Sequence, residues 1–269
     1  MWPTLFTLHV FSVERPVGSY GAMLSLAMLV GGTLVIRAAQ RERLDIGLIY
    51  VLLATTILGA FVGGYLFFVV VELIRTGDVA LALLGGGRVF FGSFLGGIAA
   101  FAWCAKKLTL PGMRIADLSV PAIAWAHAIG RIGCLLGGCC FGSGSDAPWA
   151  LTARDPLAPS AHPPIARHPT AIYEALLVLL IAIVVAKMPI KKPYAGQRFV
   201  AYVVLYCVAR FLLEFVRGDA QRGVLFGILS TSQLMSVALC VVALILHSKW
   251  AHASVSAHAV GASPTAGSA

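Results

Sequence analysis

The sequence predicts an all-α integral membrane protein of about seven transmembrane helices, with the N-terminus outside and the C-terminus in the cytoplasm. Three observations predict it. The 269 residues are 59% hydrophobic and only 12% charged, with a mean hydropathy of +0.89, whereas a soluble domain carries about twice that charged fraction. Apolar runs of roughly 20 residues, the length that crosses the hydrocarbon, recur along the chain. Lys and Arg lie singly or in pairs between those runs and are denser on alternate connections.

Residues 1–15 are mixed and read as a short interfacial segment, with Trp2 and Phe6 suited to the headgroup zone. Spans are expected near 17–36, 48–74, 89–105, 117–137, 171–187, 198–216 and 225–247. The second run is long enough to tilt or bend, with Gly59, Gly63 and Gly64 as bend points. Arg37, Arg41, Arg43, Lys106, Lys107, Arg114, Lys187, Lys191, Lys192, Arg198 and Lys249 then fall on one side. Arg15, Arg75, Arg88, Arg154, Arg167, Arg217 and Arg222 are spread over longer connections on the other side, which the positive-inside rule makes the outer one. Residues 1–250 are read as a single polytopic membrane domain. Its longest connection, about 138–170, lies outside and carries Pro148, Pro156, Pro159, Pro163 and Pro164; a loop of that length is often functional. Residues 251–269, rich in Ala, Ser and Gly, read as a disordered tail. The beginning of the chain lacks the pattern of a cleavable leader, so the first span is expected to remain in the mature protein.

The net charge of +9 does not point to nucleic acid, because no basic stripe with interleaved aromatics is present. Cys104, Cys207 and Cys240 lie in apolar runs, where a thiol acts as a small hydrophobe. Cys134, Cys139 and Cys140 are clustered, and packing, a disulfide or a reactive thiolate beside Arg131 are all open to them. No second ligand pair at zinc spacing follows, so no metal site and no cofactor are expected.

The chemistry concentrates between His127 and Gly142, where Arg131, three thiols and five glycines interrupt hydrocarbon. An arginine at membrane depth is costly and needs a partner or a task. Glycines beside it let backbone approach a ligand closely. A permanent cation next to pliable backbone suits a phospholipid phosphate. A second glycine-rich stretch, Gly85 to Gly97, contains Arg88, and a third segment runs Arg167, His168, Pro169, Thr170, Ala171, Ile172, Tyr173, Glu174. Pro169 suits the first turn of the fifth span, with Glu174 near the positive end of its dipole. Arg210 and Glu214, four apart, share a helix face and can pair, with Arg217 one step further along that face. Arg88, Arg131, Arg210, Arg217, Glu174 and Glu214 thus collect towards the outer leaflet. Unrelated interfacial charges would give the same list, but Arg131 and Arg210 lie inside apolar runs, which favours one shared cavity.

Taken in order, these motifs resemble the bacterial prolipoprotein diacylglyceryl transferase family from Tyr20 to Arg217. Gly18-Ser19-Tyr20-Gly21 resembles its first-helix Trp-Tyr-Gly, and Gly87 to Gly96 its Gly-Gly-Met-Ser-Phe-His-Gly-Gly-Leu-Ile-Gly. Gly130 to Gly142 resembles its Gly-Arg-Ile-Gly-Asn-Phe-Ile-Asn-Gly-Glu-Leu-Trp-Gly signature, His168 to Glu174 its His-Pro-Ser-Gln-Leu-Tyr-Glu, and Arg210 to Arg217 its Arg-Phe-x-x-Glu-x-x-Arg. The departures are specific. Cys134 and Gly137 stand at two Asn positions, Cys139 at a Glu position, and Phe91 at the His position of the third-helix element.

The resemblance implies transfer of the diacylglyceryl group of phosphatidylglycerol onto the lipobox cysteine thiol of a preprolipoprotein, in the bacterial cytoplasmic (inner) membrane. The implied partners are membrane lipid and the signal peptide that carries the lipobox. Arg131 and Arg210 are then expected to stabilise the departing phosphate ester, since a guanidinium offers a planar fork to its oxygens. Glu214 and Glu174 orient the arginines, and Arg217 holds phosphate or docks the acceptor. Tyr20, Gly142 and Tyr173 carry over as matched residues, and Cys134 and Cys139 stand within the same site. With Phe91 in the histidine position, the base candidates are His127, His168 and Glu214. A sibling phospholipid-dependent transferase with another acceptor, and a non-catalytic lipid-binding or transport protein, are the alternatives.

Overall fold

The structure, a computed structural model, describes residues 4–10, 13–85, 90–153, 165–188, 194–217, 224–225 and 229–261. Among them the chain is mostly helical, with eight α-helices: α1 Ser19–Arg41, α2 Ile46–Thr76, α3 Val79–Leu84, α4 Phe90–Lys107, α5 Gly112–Leu136, α6 Thr170–Ala186, α7 Gln197–Leu213 and α8 Thr231–Gly261. Among the described residues five stretches are long and apolar enough to cross a membrane: α1, α2, α5, residues Gln197–Val216 and Ser232–Ala251; α6 is a shorter apolar helix. Ile74, Leu29, Leu58, Leu176 and Leu212 are exposed on these helices, as lipid-facing positions are. This is a multi-pass membrane protein.

The first residues, for which the sequence predicts no regular element, form a β-ribbon. Thr4–Val10 (β1) and Val13–Gly18 (β2) form an antiparallel hairpin that pairs Thr7 with Pro16 and Val10 with Val13. Thr4, Phe6, Thr7, Val10 and Val13 are strand-prone residues, but the stretch carries no clean two-residue alternation that would announce it. Leu151–Ala153 (β3) pairs with Ile165–Arg167 (β4), and Val224–Leu225 (β5) with Leu229–Ser230 (β6). The expected long outer connection is therefore partly ordered by a ribbon, with 154–164 outside the described residues.

The chain forms two compact units, one of residues Met1–Thr33 with Ser119–Ala269, the other Leu34–Leu118. In the second unit α2 packs along α4 through glycines. A Cβ on Gly63 would collide with Gly92 O and stand 2.8 Å from Gly96 Cα, and one on Gly59 would meet Gly96 O at 2.7 Å. Small residues are what let two membrane helices approach this closely. Asp45 caps α2 by accepting from Leu48 N–H, and Gly77, at φ 69°, ends it. Asp78 caps α3 in the same way, accepting from Ala80 and Leu81 N–H. Arg114 and Glu42 pair at 3.0 Å across this unit. Gly63→Val is expected to force α2 and α4 apart and cost about 2 kcal/mol. Gly97→Ala, whose Cβ finds Ala60 Cβ at an ordinary 3.4 Å, should melt in detergent at nearly the wild-type temperature.

In the first unit α5, α6 and α7 share a core. Val120, Ala124, Ile181, Val185 and Tyr202 form one buried cluster, and Ala128, Ala175 and Val178 the next. These positions recur every three or four residues, so one face of each helix is committed to the seam.

Candidate active site

The seam changes character at one end. On α5 the row Val120, Ala124, Ala128 leads on to Arg131, with His127 on the same side. On α6 the row Val185, Ile181, Val178 leads back to Glu174. On α7 Tyr202 and Tyr206 lead on to Arg210. Apolar packing fixes the three faces, and each then presents a polar group at the same end.

Glu174 is the hub. Its side chain is 2% exposed, and its Oε1 receives Arg131 Nη2 at 2.8 Å, the Tyr206 hydroxyl at 2.9 Å and His127 Nε2 at 3.2 Å. Arg217 Nη1 lies 3.8 Å from Oε2, with a side chain 1% exposed. His127 Nε2 also stands 3.4 Å from Arg131 Nε. One ring nitrogen cannot donate to the carboxylate and accept from the guanidinium at once; the shorter contact, to an anion, places a proton on Nε2. The His127 ring packs edge-on to Tyr206 at 5.1 Å. Buried charges persist where they are paired and hydrogen-bonded.

The Arg210–Glu214 pair expected from i,i+4 spacing forms at 2.6 Å, and Arg210 Nη2 donates to Ser232 Oγ at 3.1 Å. Arg210 also lies within electrostatic reach of Glu174. Arg217 is not one step along that helix face. The helix tightens into a 3-10 turn at Glu214–Val216, and Arg217 is extended, bridged antiparallel to Gly142. That bridge, with Gly142 N–H to His168 O at 2.8 Å and Ser143 N–H to Val216 O at 3.0 Å, ties the signature segment to the ends of α6 and α7. Gly142 leaves no room for a side chain, since a Cβ would meet Val216 O at 2.5 Å and Thr170 Cγ2 at 2.9 Å. Gly142→Ala should therefore lower the melting temperature, at a cost of about 1–3 kcal/mol.

The thiols converge through the end of α5. Gly138, at φ 77°, donates to Leu135 O at 3.2 Å while Cys139 N–H returns to Cys134 O at 3.0 Å, the paired bonds of a glycine-terminated helix. That turn brings Cys139 back over Cys134. Cys140 follows in the left-handed region at φ 62°, its carbonyl accepting from Thr170 Oγ1 at 2.7 Å. The three Sγ atoms lie within 4.8 Å of one another, with Cys134 buried and the other two half-buried. All three are free thiols. Hydrogen bonds with Cys134 and Cys139, then the charges of Arg217 and Arg131, hold the Cys140 thiol well below the ordinary range, against the opposing effect of burial. One short turn thus gathers all three thiols without a second spaced ligand pair.

Tyr20 is half-exposed and lies over the same stretch. A Cβ on Gly133 would be 3.6 Å from its Cδ2, and one on Gly137 3.7 Å from its Cβ. Tyr173 belongs to a separate polar group, its hydroxyl taking Trp149 Nε1 at 2.7 Å and His168 Nδ1 at 3.1 Å. Arg88 lies outside the described residues, as does the side chain of Phe91. Of the base candidates, His127 is tied to Glu174, His168 to Tyr173 and Glu214 to Arg210. Tyr206, Ser232 and Thr170 were missed in the sequence. Tyr206 had a signal, lying four residues before Arg210 on one face of α7.

A family model for prolipoprotein diacylglyceryl transferase matches residues 4–248. The chain belongs to that family. It is 32% identical to the phosphatidylglycerol–prolipoprotein diacylglyceryl transferase of Clostridium tetani over 250 residues, covering 91% of this chain and 96% of that one. A Clostridium perfringens protein of the same name is 28% identical, with 85% and 89% covered. The Vibrio parahaemolyticus one is 33% identical, with 75% and 73% covered. In this member of the transferase family, guanidinium groups gather around one carboxylate and a thiol cluster lies at the end of the same α5 helix.

Proposed function

We infer that the chain transfers the diacylglyceryl group of phosphatidylglycerol to a cysteine thiol of a prolipoprotein, the lipobox cysteine of its signal peptide. Family membership and the Arg131–Glu174–Arg217 cluster support this reading together. Transfer breaks the bond between a glyceryl carbon and a phosphate oxygen, forms a carbon–sulfur bond and releases glycerol phosphate. The departing phosphate gains charge as that bond breaks, and a preorganised cation in a dry site stabilises this charge at little reorganisation cost. Glu174 holds Nη2 of Arg131 and so orients the guanidinium for a ligand oxygen. Glu214 and Ser232 hold Arg210 in the same manner. Arg131 and Arg210 contact the phosphate; Glu174, Glu214 and Tyr206 position them. Arg217, Gly142, Tyr20 and the thiols border the acceptor.

The proposed topology has seven crossings, by α1, α2, α4, α5, α6, α7 and α8, with the N-terminus outside the bacterial inner membrane and the C-terminus in the cytoplasm. Six-residue α3 is too short to cross. The test is expression in bacteria depleted of their own transferase, following prolipoprotein lipidation by gel shift. Restored lipidation is the expected result; an inserted chain that restores none would overturn the reading.

A further inference from the structure

We propose that Cys134, Cys139 and Cys140 form a three-thiolate site for a thiophilic divalent cation of the zinc class, whose open fourth position takes the thiol of the acceptor. The proposal deepens the transferase reading and rests on it for the identity of the acceptor. It departs from the expectation of no metal drawn from ligand spacing.

Geometry carries the first half. Zinc binds thiolate at about 2.3 Å in tetrahedral array, which separates the sulfurs by about 3.8 Å. The three Sγ atoms already lie within 4.8 Å of one another, so small side-chain rotations close the site. The backbone is arranged to present them. The glycine turn at Gly138 returns Cys139 to Cys134, and Cys140 is held at φ 62° by the Thr170 hydroxyl on its carbonyl. A left-handed conformation is unfavourable for a non-glycine residue, and such strain persists where the surroundings enforce it. Charge favours a dication. Three thiolates around a divalent ion carry one net negative charge, and two cations are near to balance it, Arg217 bridged to Gly142 two residues beyond Cys140 and Arg131 one turn before Cys134 on α5; a monovalent ion would leave two.

Chemistry carries the second half. Three protein ligands with a fourth position open is the pattern of a zinc site that does chemistry rather than one that only holds a fold. A coordinating thiol is deprotonated outright. The acceptor S–H would lose its proton to water on binding. The resulting metal-held thiolate then attacks the glyceryl carbon, the new carbon–sulfur bond forms as the carbon–oxygen bond to phosphate breaks, and glycerol phosphate leaves. The side chains otherwise placed to take that proton are engaged, His127 with Glu174, His168 with Tyr173 and Glu214 with Arg210. A metal-held thiolate needs none of them.

The test uses the full chain in detergent, reduced and stripped with chelator, then titrated with cobalt(II) as a spectroscopic stand-in for zinc. One equivalent should produce a sulfur-to-cobalt charge-transfer band in the near ultraviolet, and Cys139→Ser with Cys140→Ser should abolish it. As a readout independent of variant folding, zinc should protect three thiols of the wild-type chain from maleimide. No band and no protection would overturn the site. An acceptor peptide bearing the lipobox cysteine should shift the visible cobalt bands, and its serine counterpart should not. Equal response to both would overturn the fourth-position assignment. Diacylglyceryl transfer by the stripped chain should fall at least tenfold and return with zinc. Transfer at the wild-type rate with the site verifiably empty would overturn the metal's part in the reaction. Cobalt binding with no transfer in either state would instead remove the transferase reading and leave the metal site standing.

Discussion

Arg131→Ala is expected to lower the turnover of diacylglyceryl transfer by about 10²–10³-fold, the usual effect of removing one preorganised donor from a site of developing charge. Arg131 is suited to that part because its orientation is set before substrate arrives. Nη2 is held by Glu174 at 2.8 Å, Nε stands 3.4 Å from His127, and the side chain is 19% exposed. Arg131→Lys keeps a charge but loses the planar fork. It should recover part of the rate, and less of it than charge alone would restore. The measurement is initial velocity with labelled phosphatidylglycerol and an acceptor peptide, with melting in detergent showing that each variant is folded. Wild-type turnover in a folded Arg131→Ala protein would remove this arginine from the phosphate site.

Much of this arrangement was legible in the chain itself, and what was not has identifiable causes. Long apolar runs placed the helices because length and hydrocarbon content decide spanning. The Arg210–Glu214 pair and the nearness of His127 to Arg131 followed from i,i+4 spacing on single helices. Glu174 was seen as an arginine partner, but not as the point where α5, α6 and α7 and Arg217 meet; contacts between distant segments leave no local period. Arg217 was misplaced because the pattern was continued as helix through Glu214–Val216, where the chain tightens and turns out. Gly218 follows directly, and glycine at a helix end is the signal that was passed over. The three thiols are neighbours in the sequence, but the convergence of their sulfurs is not legible there for a related reason. Their ligand-like spacing comes from a glycine turn and one left-handed residue, not from a regular element.

Glu174→Ala is expected to destabilise the protein by about 3–5 kcal/mol, the cost of removing one partner from a buried ion pair. Inside a bilayer, apolar surface gains little by leaving lipid for a helix interface, so packing and polar links hold helices together. Glu174 supplies such links to Arg131 and His127 on α5, to Tyr206 on α7 and to Arg217 beyond it. Its loss leaves guanidiniums buried without their carboxylate, and they repel one another. Glu174→Gln keeps an oxygen for the Tyr206 hydroxyl and should cost less than alanine in stability, while still losing the charge that orients Arg131. Arg131→Ala combined with Glu174→Ala should cost less than the two changes summed, by about 1–3 kcal/mol, because the second change removes a charge already stranded by the first. Unfolding in mixed micelles measures all four proteins. Strict additivity would mean that Glu174 and Arg131 act separately, and the carboxylate could not then be what fixes the guanidinium for the phosphate.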